Sequence, residues 1–306
     1  MDAFKLPASD GRPVHVYRWQ TETSPRASVQ IAHGMGEHAA RYDHVARRLN
    51  DAGYVVYAND HRGHGETAES GAHGYMGEDG WNRTIDDAQA LNAHIGEAHP
   101  GLPRVLLGHS MGSMLSQQFI YRHGEHIDAL ILSGSPGLGG AFSLWLSHTL
   151  ARLERWRLGP DAESVLMQRL IFGDANKPFA APEASGFEWL SRDSEQVQRY
   201  VDDPHCGFVL RAGSLSDLFA GAREARRREH ITRAPRRLPV YVLSGSADPV
   251  HDGEKNLRRL LDRYQAHLEN VEYRLYPEGR HEMFNETNRD EVLSDLIEWL
   301  ERTLDA

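Results

Sequence analysis

The chain is poor in cysteine and in long apolar runs. Its 306 residues include one cysteine, Cys206, which cannot form a disulfide within the chain. Runs of about 18 consecutive apolar residues, the length needed to cross a bilayer, are absent. Residues 1–5 do not begin a basic segment followed by an apolar one, as a secretory signal would. These absences predict a cytoplasmic protein rather than a secreted or membrane-spanning one.

Positive charge is also scarce, because 34 Lys and Arg residues face 44 Asp and Glu residues, a net charge of -10. Without a basic excess to displace counterions from phosphates, nucleic acid is not an expected partner. The sequence has no glycine-rich phosphate loop ending in Lys-Ser/Thr, and residues 281–285 lack the second histidine of a zinc-binding helix. We interpret His61 and His64 as part of a glycine-rich turn. No metal and no cofactor are therefore expected.

The regular feature of the chain is an alternation of strand-like and helix-like segments. This alternation predicts an α/β protein with a mostly parallel central sheet and helices on both faces. The predicted strands are 13–19, 28–32, 54–59, 105–107, 129–133, 239–244 and 271–276, and the predicted helices are 38–52, 84–98, 111–122 and 253–267.

The alternation stops after residue 136 and resumes near residue 237. We predict that residues 1–136 and 237–306 form the two parts of one core and that residues 137–236 form an inserted helical cap. An apolar stripe with helical spacing in this cap has two interpretations, packing on the core or contact with a substrate channel or a lipid surface. The stripe consists of Phe142, Leu146, Leu150, Leu153 and Trp156, with Leu144 and Trp145 on a neighbouring face. The basic run 223–228 is interpreted as a solvated helix face, with attraction to phospholipid as the alternative.

The most informative motif is the Gly-x-Ser-x-Gly segment 108–112, which joins strand 105–107 to a predicted helix. At the end of a buried strand, this motif holds its serine in a sharp turn whose glycines leave room for neighbouring backbone. Ser110 would then stand at a helix N-terminus, where unpaired N–H groups favour a developing oxyanion. Ser110 is therefore the candidate nucleophile, and the Met111 N–H is a candidate oxyanion donor.

A serine nucleophile needs a base, and the base needs an acid that orients it. On a sheet of this kind the chain order is serine, acid, histidine. Asp248 follows strand 239–244 and His281 follows strand 271–276, so both side chains should leave the edge of the sheet at which Ser110 lies. Glu278 and Glu282 flank the histidine and are alternative acids, but we prefer Asp248 because it lies at the end of a strand. We assign Asp252 to the N-cap of helix 253–267.

The second oxyanion donor is expected in the loop after an earlier strand. Strand 28–32 runs into His33-Gly34-Met35, a His-Gly turn of the expected type. We predict that the Met35 N–H supplies this donor. The alternative is that His33-Gly34 is only a tight turn.

Together these motifs resemble a known family. The segments 33–38 (HGMGEH) with Arg41-Tyr42, 60–65 (DHRGHG) and 108–112 (GHSMG) are similar to the monoacylglycerol lipase and lysophospholipase-like branch of the α/β-hydrolases. The resemblance implies the α/β-hydrolase fold with an inserted cap, and a small-molecule ester or lipid as substrate. It also implies a Ser110, Asp248 and His281 triad with oxyanion donors at Met35 and Met111.

The same resemblance implies a polar head-group site in which Glu37 and Arg41 help to hold glycerol. Phe284 stands where mammalian monoacylglycerol lipases carry a second histidine, so one glycerol contact should be lost, and Thr67 replaces a serine of the family motif. The segments 189–193 and 203–208 look more like those of bacterial lysophospholipase-like hydrolases.

Four alternatives accompany the lipid-ester interpretation. Dehalogenases and epoxide hydrolases of this architecture use a carboxylate nucleophile, which Ser110 argues against. A short-chain carboxylesterase and a serine aminopeptidase or amidase would carry the same triad, because the triad does not distinguish an alcohol from an amine leaving group. A ligand-binding receptor on a hydrolase shell is the non-enzymatic alternative.

Overall fold

The computed structural model describes residues 1–69 and 72–304. Eight strands form one sheet, β1 Asp2–Pro7, β2 Pro13–Trp19, β3 Ala27–Ala32, β4 Tyr54–Asn59, β5 Arg104–His109, β6 Ala129–Ser133, β7 Val240–Gly245 and β8 Val271–Tyr276. The helices are α1 Asp43–Asp51, α2 Gly80–Ala98, α3 Met111–His123, α4 Ala141–Leu158, α5 Val165–Phe172, α6 Ser194–Asp202, α7 Ala212–Ala225, α8 Arg228–Ile231, α9 Lys255–Gln265 and α10 Arg289–Leu304. In the described ranges, no helix is long and apolar enough to cross a membrane.

The strand order is β1-β2-β4-β3-β5-β6-β7-β8, with β1 and β2 antiparallel to their neighbours and the other strands parallel. Side chains alternate between the two faces of each strand, so each face buries every second residue. On one face, Leu106 and Leu130 pack in a cluster with α2, α3 and α9 residues. On the other face, Leu107 and Ile131 pack with α1 and α10 residues. The predicted mostly parallel sheet with helices on both faces is confirmed.

Helices α4 to α8 lie between β6 and β7 in the chain, and no strand interrupts them in this part of the described structure. Their apolar side chains, including Met167 and Leu215, join the cluster on the α2–α3 face of the sheet. We call this insertion the cap. It brings cap side chains over the carboxyl ends of the parallel strands, next to Ser110.

Four local features differ from the predictions. Strand β1 and helix α10 were not predicted, although α10 buries Val292, Leu296 and Trp299 at helical spacing. The predicted helix 38–52 begins as a 3-10 turn at Ala39–Tyr42 and becomes α-helical at α1. The N-cap assignment of Asp252 is wrong. That residue has a left-handed backbone (φ 55°) two residues before the N-cap of α9, where its side chain does not cap the helix.

Candidate active site

Ser110 sits in a strained turn between β5 and α3. Its φ of 50° and ψ of -114° are unusual for a residue with a side chain, and such strain persists only where the surroundings hold it in place. The Ser110 N–H donates to the carbonyl of Ser133 over 3.0 Å. A Cβ at Gly112 would collide with the carbonyl oxygen of Ala32, so only glycine lets α3 approach β3 this closely.

The structure brings His281 and Asp248 to Ser110. The His281 Nε2 atom lies 2.9 Å from the Ser110 Oγ, and its Nδ1 atom lies 2.9 Å from the Asp248 Oδ2. Asp248 also accepts hydrogen bonds from the Val250 N–H over 2.9 Å and from the Ser244 hydroxyl over 3.3 Å. These partners orient the carboxylate, which in turn orients the imidazole.

Burial and charge shift the pKa values of His281 and Asp248 in opposite directions. Burial alone would lower the pKa of His281, but the Asp248 carboxylate outweighs it and raises that pKa above its ordinary value. Burial would raise the pKa of Asp248, but the positive charge on His281 outweighs it and lowers that pKa. The imidazole of His109, 4.9 Å from that of His281 between ring centroids, has its pKa lowered to about 4 by burial and by His281. His281 is thus the histidine at this site that gains a proton most readily.

The residues of the two predicted oxyanion donors, Met35 and Met111, line the same cavity as Ser110. Met111 begins α3, where helix N–H groups are unpaired. Met35 follows β3 in the loop His33-Gly34-Met35. Neither the Met35 N–H nor the Met111 N–H donates to an acceptor in the part of the chain that the structure describes. Both are therefore available to a bound oxygen.

Two cavities meet at Ser110 and Met35. The larger cavity, about 520 Å³, extends under the cap and is lined mainly by apolar side chains, among them Leu144, Met167 and Leu218. The smaller cavity, about 250 Å³, has ionisable side chains in its walls, among them Glu37, His281 and Glu282, beside apolar ones such as Phe187, Leu190 and Val209. A substrate with one apolar and one polar part could therefore place its reacting carbon at Ser110 and each part in the cavity that suits it.

Glu37 and Arg41 belong to a buried ion cluster with Glu282. The Arg41 guanidinium donates to Glu37 over 2.6 Å and to both carboxylate oxygens of Glu282 over 2.8 Å. Glu37 also accepts from the Gly34 N–H over 2.5 Å and from the Tyr42 hydroxyl over 2.9 Å. Glu37 and Glu282 border the smaller cavity, whereas Arg41 lies behind them. The cluster thus supports the loop that carries Met35.

In this ion cluster, burial favours the neutral forms of Glu282 and Arg41, but the attraction between their opposite charges is the stronger effect on both pKa values. Burial would raise the pKa of Glu282, yet Arg41 holds it at about 2. The pKa of Arg41 is raised well above its ordinary value, because Glu282 and Glu37 outweigh its burial. Both Glu282 and Arg41 are therefore ionised at neutral pH.

Sequence reasoning missed two contributors to the site. Glu282 flanks His281 in the sequence, where it resembles a candidate acid, and its partner Arg41 lies 241 residues away in the chain. Trp189, in the cap, has its ring centroid 5.0 Å from that of His281 and accepts the His281 N–H at its carbonyl over 3.3 Å. The residues that follow β8 in the sequence do not indicate either contact.

The apolar stripe of α4 is mostly exposed. Relative exposure is 72% for Phe142, 41% for Leu146, 53% for Leu153 and 83% for Trp156, so the core-packing interpretation is wrong for these four residues. Leu150 packs against the core. In the basic run, Arg226 donates to the carbonyl of Gly139, and Arg227 pairs with Glu224 over 3.2 Å.

Comparisons with known proteins identify relatives of this chain. Residues 23–288 match the family model described as "Serine aminopeptidase, S33". The chain is 33% identical to a monoacylglycerol lipase of Mycolicibacterium smegmatis over 287 residues, 92% of this chain and 90% of the relative. It is 27% identical to a human monoglyceride lipase over 300 residues, 92% of this chain and 87% of the relative.

A solved structure shows the same similarity. A thermostable carboxyl esterase from Bacillus coagulans, in complex with glycerol, superposes with a TM-score of 0.88 at 26% identity, covering 99% of this chain and 98% of that chain. A match over most of the chain establishes the family, and the relatives and structural neighbours establish the class of reaction. The chain therefore belongs to the serine aminopeptidase S33 family, has the α/β-hydrolase fold and is a carboxylic ester hydrolase.

Proposed function

We propose that the chain hydrolyses its ester in two steps through an acyl-enzyme on Ser110. The Ser110 Oγ attacks the carbonyl carbon while its proton passes to the His281 Nε2 atom, and Asp248 stays ionised and stabilises the imidazolium. The N–H groups of Met35 and Met111 donate to the oxyanion, each contributing about 3 kcal/mol to transition-state stabilisation. The C–O bond then breaks, and His281 gives its proton to the departing alcohol.

The second step releases the acid. Water enters the site, and His281 takes one of its protons while the water oxygen attacks the acyl carbon. A second oxyanion forms between the same N–H groups and collapses, and His281 returns the proton to the Ser110 Oγ. The free carboxylic acid leaves and the enzyme is restored.

The observation that carries this proposal is the chain of 2.9 Å contacts from Ser110 through His281 to Asp248. Substituting Ser110→Ala should abolish hydrolysis of short-chain nitrophenyl esters while leaving the melting temperature within a few degrees of the wild type. A matched control is Ser294→Ala, which removes the hydroxyl of an exposed serine on α10 and should hydrolyse the ester like the wild type. Hydrolysis by Ser110→Ala at a rate close to that of the wild type would refute the assignment.

We propose a monoacylglycerol or lysophospholipid as the substrate class. The larger, apolar cavity suits a long acyl chain, and the smaller cavity suits a polar alcohol whose hydroxyls meet Glu37. Arg41, behind the glutamates, would act on the head group by fixing Glu37. The curated relatives that are named as monoacylglycerol and monoglyceride lipases support this class.

A substrate panel separates this proposal from a short-chain esterase or an amidase. The panel contains a long-chain monoacylglycerol, the matching lysophospholipid, a short-chain nitrophenyl ester and an aminoacyl anilide. We expect the highest kcat/KM for one of the two long-chain lipids. Preference for the short ester would indicate a general carboxylesterase, and preference for the anilide would indicate an aminopeptidase.

We further propose that the cap touches a lipid surface through α4. Phe142 and Trp156 expose most of their surface, and Trp145 exposes 49% of its own, so a cluster of large apolar side chains faces outward beside the larger cavity. The double variant Phe142→Ser/Trp156→Ser should bind phosphatidylcholine vesicles more weakly than the wild type in a sedimentation assay. Tyr273→Ser, which removes an exposed aromatic from β8, is the matched control and should bind like the wild type.

A cytoplasmic location is also proposed, and the single cysteine supports it, because secreted domains of this size commonly use disulfides. Fractionation of the producing cells, with antibody detection in each fraction, tests this location. Recovery from the culture medium would contradict it.

A further inference from the structure

A second group of reactive side chains lies beside the smaller cavity and has no part in the proposed reaction. His38, Asp203 and Cys206 each offer one donor atom, and these three atoms lie within 4.8 Å of one another. All three residues are half-buried, so an ion could reach them from solvent. Imidazole nitrogen, carboxylate oxygen and thiolate sulfur are the three donor types that bind Zn²⁺ in proteins.

Two of these donors come from one tight turn. The Cys206 N–H donates to the Asp203 carbonyl over 3.0 Å, which brings both side chains to the same side of the backbone. A separation of two residues between ligands is common in zinc sites. The Asp203 Oδ1 atom accepts the His205 N–H over 2.8 Å, so Oδ2 is directed toward the third donor. Such outer contacts orient metal ligands.

The third donor comes from the loop after β3, and backbone contacts hold that loop against the turn. The His38 Nε2 atom lies 2.9 Å from the Asp203 Oδ2 atom. The Gly207 N–H donates to the Gly36 carbonyl over 2.9 Å, and the Tyr200 hydroxyl donates to the same oxygen over 2.8 Å. The donors are therefore assembled before any ion binds, which lowers the ordering cost of binding.

The donor spacing fits a small tetrahedral ion after minor adjustment. Bonds of about 2.0–2.3 Å to a tetrahedral ion place its donors about 3.3–3.8 Å apart. The imidazole and the carboxylate, now 2.9 Å apart, would separate slightly, and the sulfur would turn inward. A carboxylate and a thiolate together balance the charge of Zn²⁺, and a water molecule completes the fourth position.

We propose that His38, Asp203 and Cys206 bind one Zn²⁺ ion, which clamps the turn 203–206 to the loop after β3. The residues that follow the turn, Gly207 and Phe208, line the smaller cavity, so the ion would fix one wall of it. The proposal rests on the placement of these side chains and holds whatever ester the enzyme cleaves.

The test uses the full chain, freed of metal with EDTA and dialysed into metal-free buffer. Calorimetric titration with zinc chloride should show one ion per chain, and zinc should raise the melting temperature. Titration with Co²⁺ should give a thiolate-to-cobalt charge-transfer band in the near ultraviolet. Because the chain has one cysteine, that band reports on Cys206 alone.

Three variants and one control decide the outcome. His38→Asn, Asp203→Asn and Cys206→Ser should each lower zinc affinity by at least about tenfold, the smallest loss expected on disturbing a metal site, and Cys206→Ser should abolish the cobalt band. His126→Asn, which removes an exposed histidine paired with Glu125, should bind like the wild type. Variants are compared only when their metal-free melting temperatures match that of the wild type. If one of the three variants does not fold, the other two still test the proposal. Wild-type affinity in the folded variants, or a wild-type cobalt complex without the thiolate band, would overturn the proposal.

Discussion

Replacing Arg41 with methionine should destabilise the protein markedly at neutral pH. The substitution leaves the carboxylates of Glu37 and Glu282, 4% and 7% exposed, without their shared cation. Removing one partner of a buried ion pair costs about 3–5 kcal/mol, because a buried charge is left uncompensated. At about 2.1 cal/mol/K of unfolding entropy per residue, each kcal/mol lowers the Tm of a 306-residue chain by about 1.6 °C. The expected fall in Tm is therefore about 5–8 °C.

The pH dependence of this loss separates an electrostatic cause from a packing cause. The pKa of Glu282 is about 2 in the folded protein and ordinarily 4.5, so its ionised form stabilises the wild type fully above pH 4.5 and loses that effect as the pH falls toward 2. In Arg41→Met the carboxylates can take up protons, so the difference in unfolding free energy between the two proteins should shrink between pH 7 and pH 4. Urea unfolding of both proteins at pH 7 and at pH 4 measures this difference in unfolding free energy.

A matched control tests the same reasoning from the other side. Adding Glu37→Gln and Glu282→Gln to Arg41→Met removes the unpaired charges and should restore most of the lost stability. An Arg41→Met protein as stable as the wild type, or one whose loss is equal at pH 7 and pH 4, would refute the argument.

Three further predictions concern the site and its support. Asp248→Asn should lower kcat by about 10⁴-fold while ester binding is retained, and an unchanged kcat in steady-state kinetics would contradict this. Because the raised pKa of His281 sets the pH below which the base is protonated, kcat/KM should fall as the pH drops through that value. The fall should move to lower pH in Asp248→Asn, where burial still lowers the pKa of the imidazole and the charge that most strongly opposes this effect is gone. A pH profile that is the same in both proteins would count against this. Gly112→Ala should yield little folded protein, because its Cβ meets backbone, whereas Gly96→Ala, whose Cβ meets only the flexible Arg104 side chain, should melt near the wild-type temperature. The soluble yield and the melting temperature of each variant measure this difference. A Gly112→Ala protein that melts near the wild-type temperature would contradict the prediction.

Most strands in the parallel part of the sheet could be predicted from sequence because they are apolar runs that end in turn residues, whereas β8 could be predicted from its alternation of apolar and polar residues. Strands β4, β6 and β8 have the predicted bounds, and β7 differs by one residue at each end. Strand β1 gave no such signal, because it lies at the edge of the sheet and none of its residues is buried. The exposure of Phe142 and Trp156 could not be predicted either, since helical spacing shows that side chains share a face and does not show what covers that face.

The proximity of the candidate site residues could be predicted from sequence because of the topology of the sheet. Parallel strands end at one edge of the sheet, so residues that follow β5, β7 and β8 must lie near one another, and the structure brings Ser110, Asp248 and His281 within hydrogen-bond distance. Their catalytic role stays a prediction. The pairing of Arg41 with Glu282 could not be predicted, because it depends on how two loops far apart in the chain pack together.

The most direct test of the proposed mechanism is covalent labelling with a fluorophosphonate followed by mapping of the modified peptide. The probe forms a bond only with an activated nucleophile, so the wild type should carry one label, on Ser110. His281→Ala, which keeps the serine and removes its base, should label far more slowly. Labelling at another residue, or equal labelling of the wild type and His281→Ala, would contradict the claim that the imidazole activates this serine.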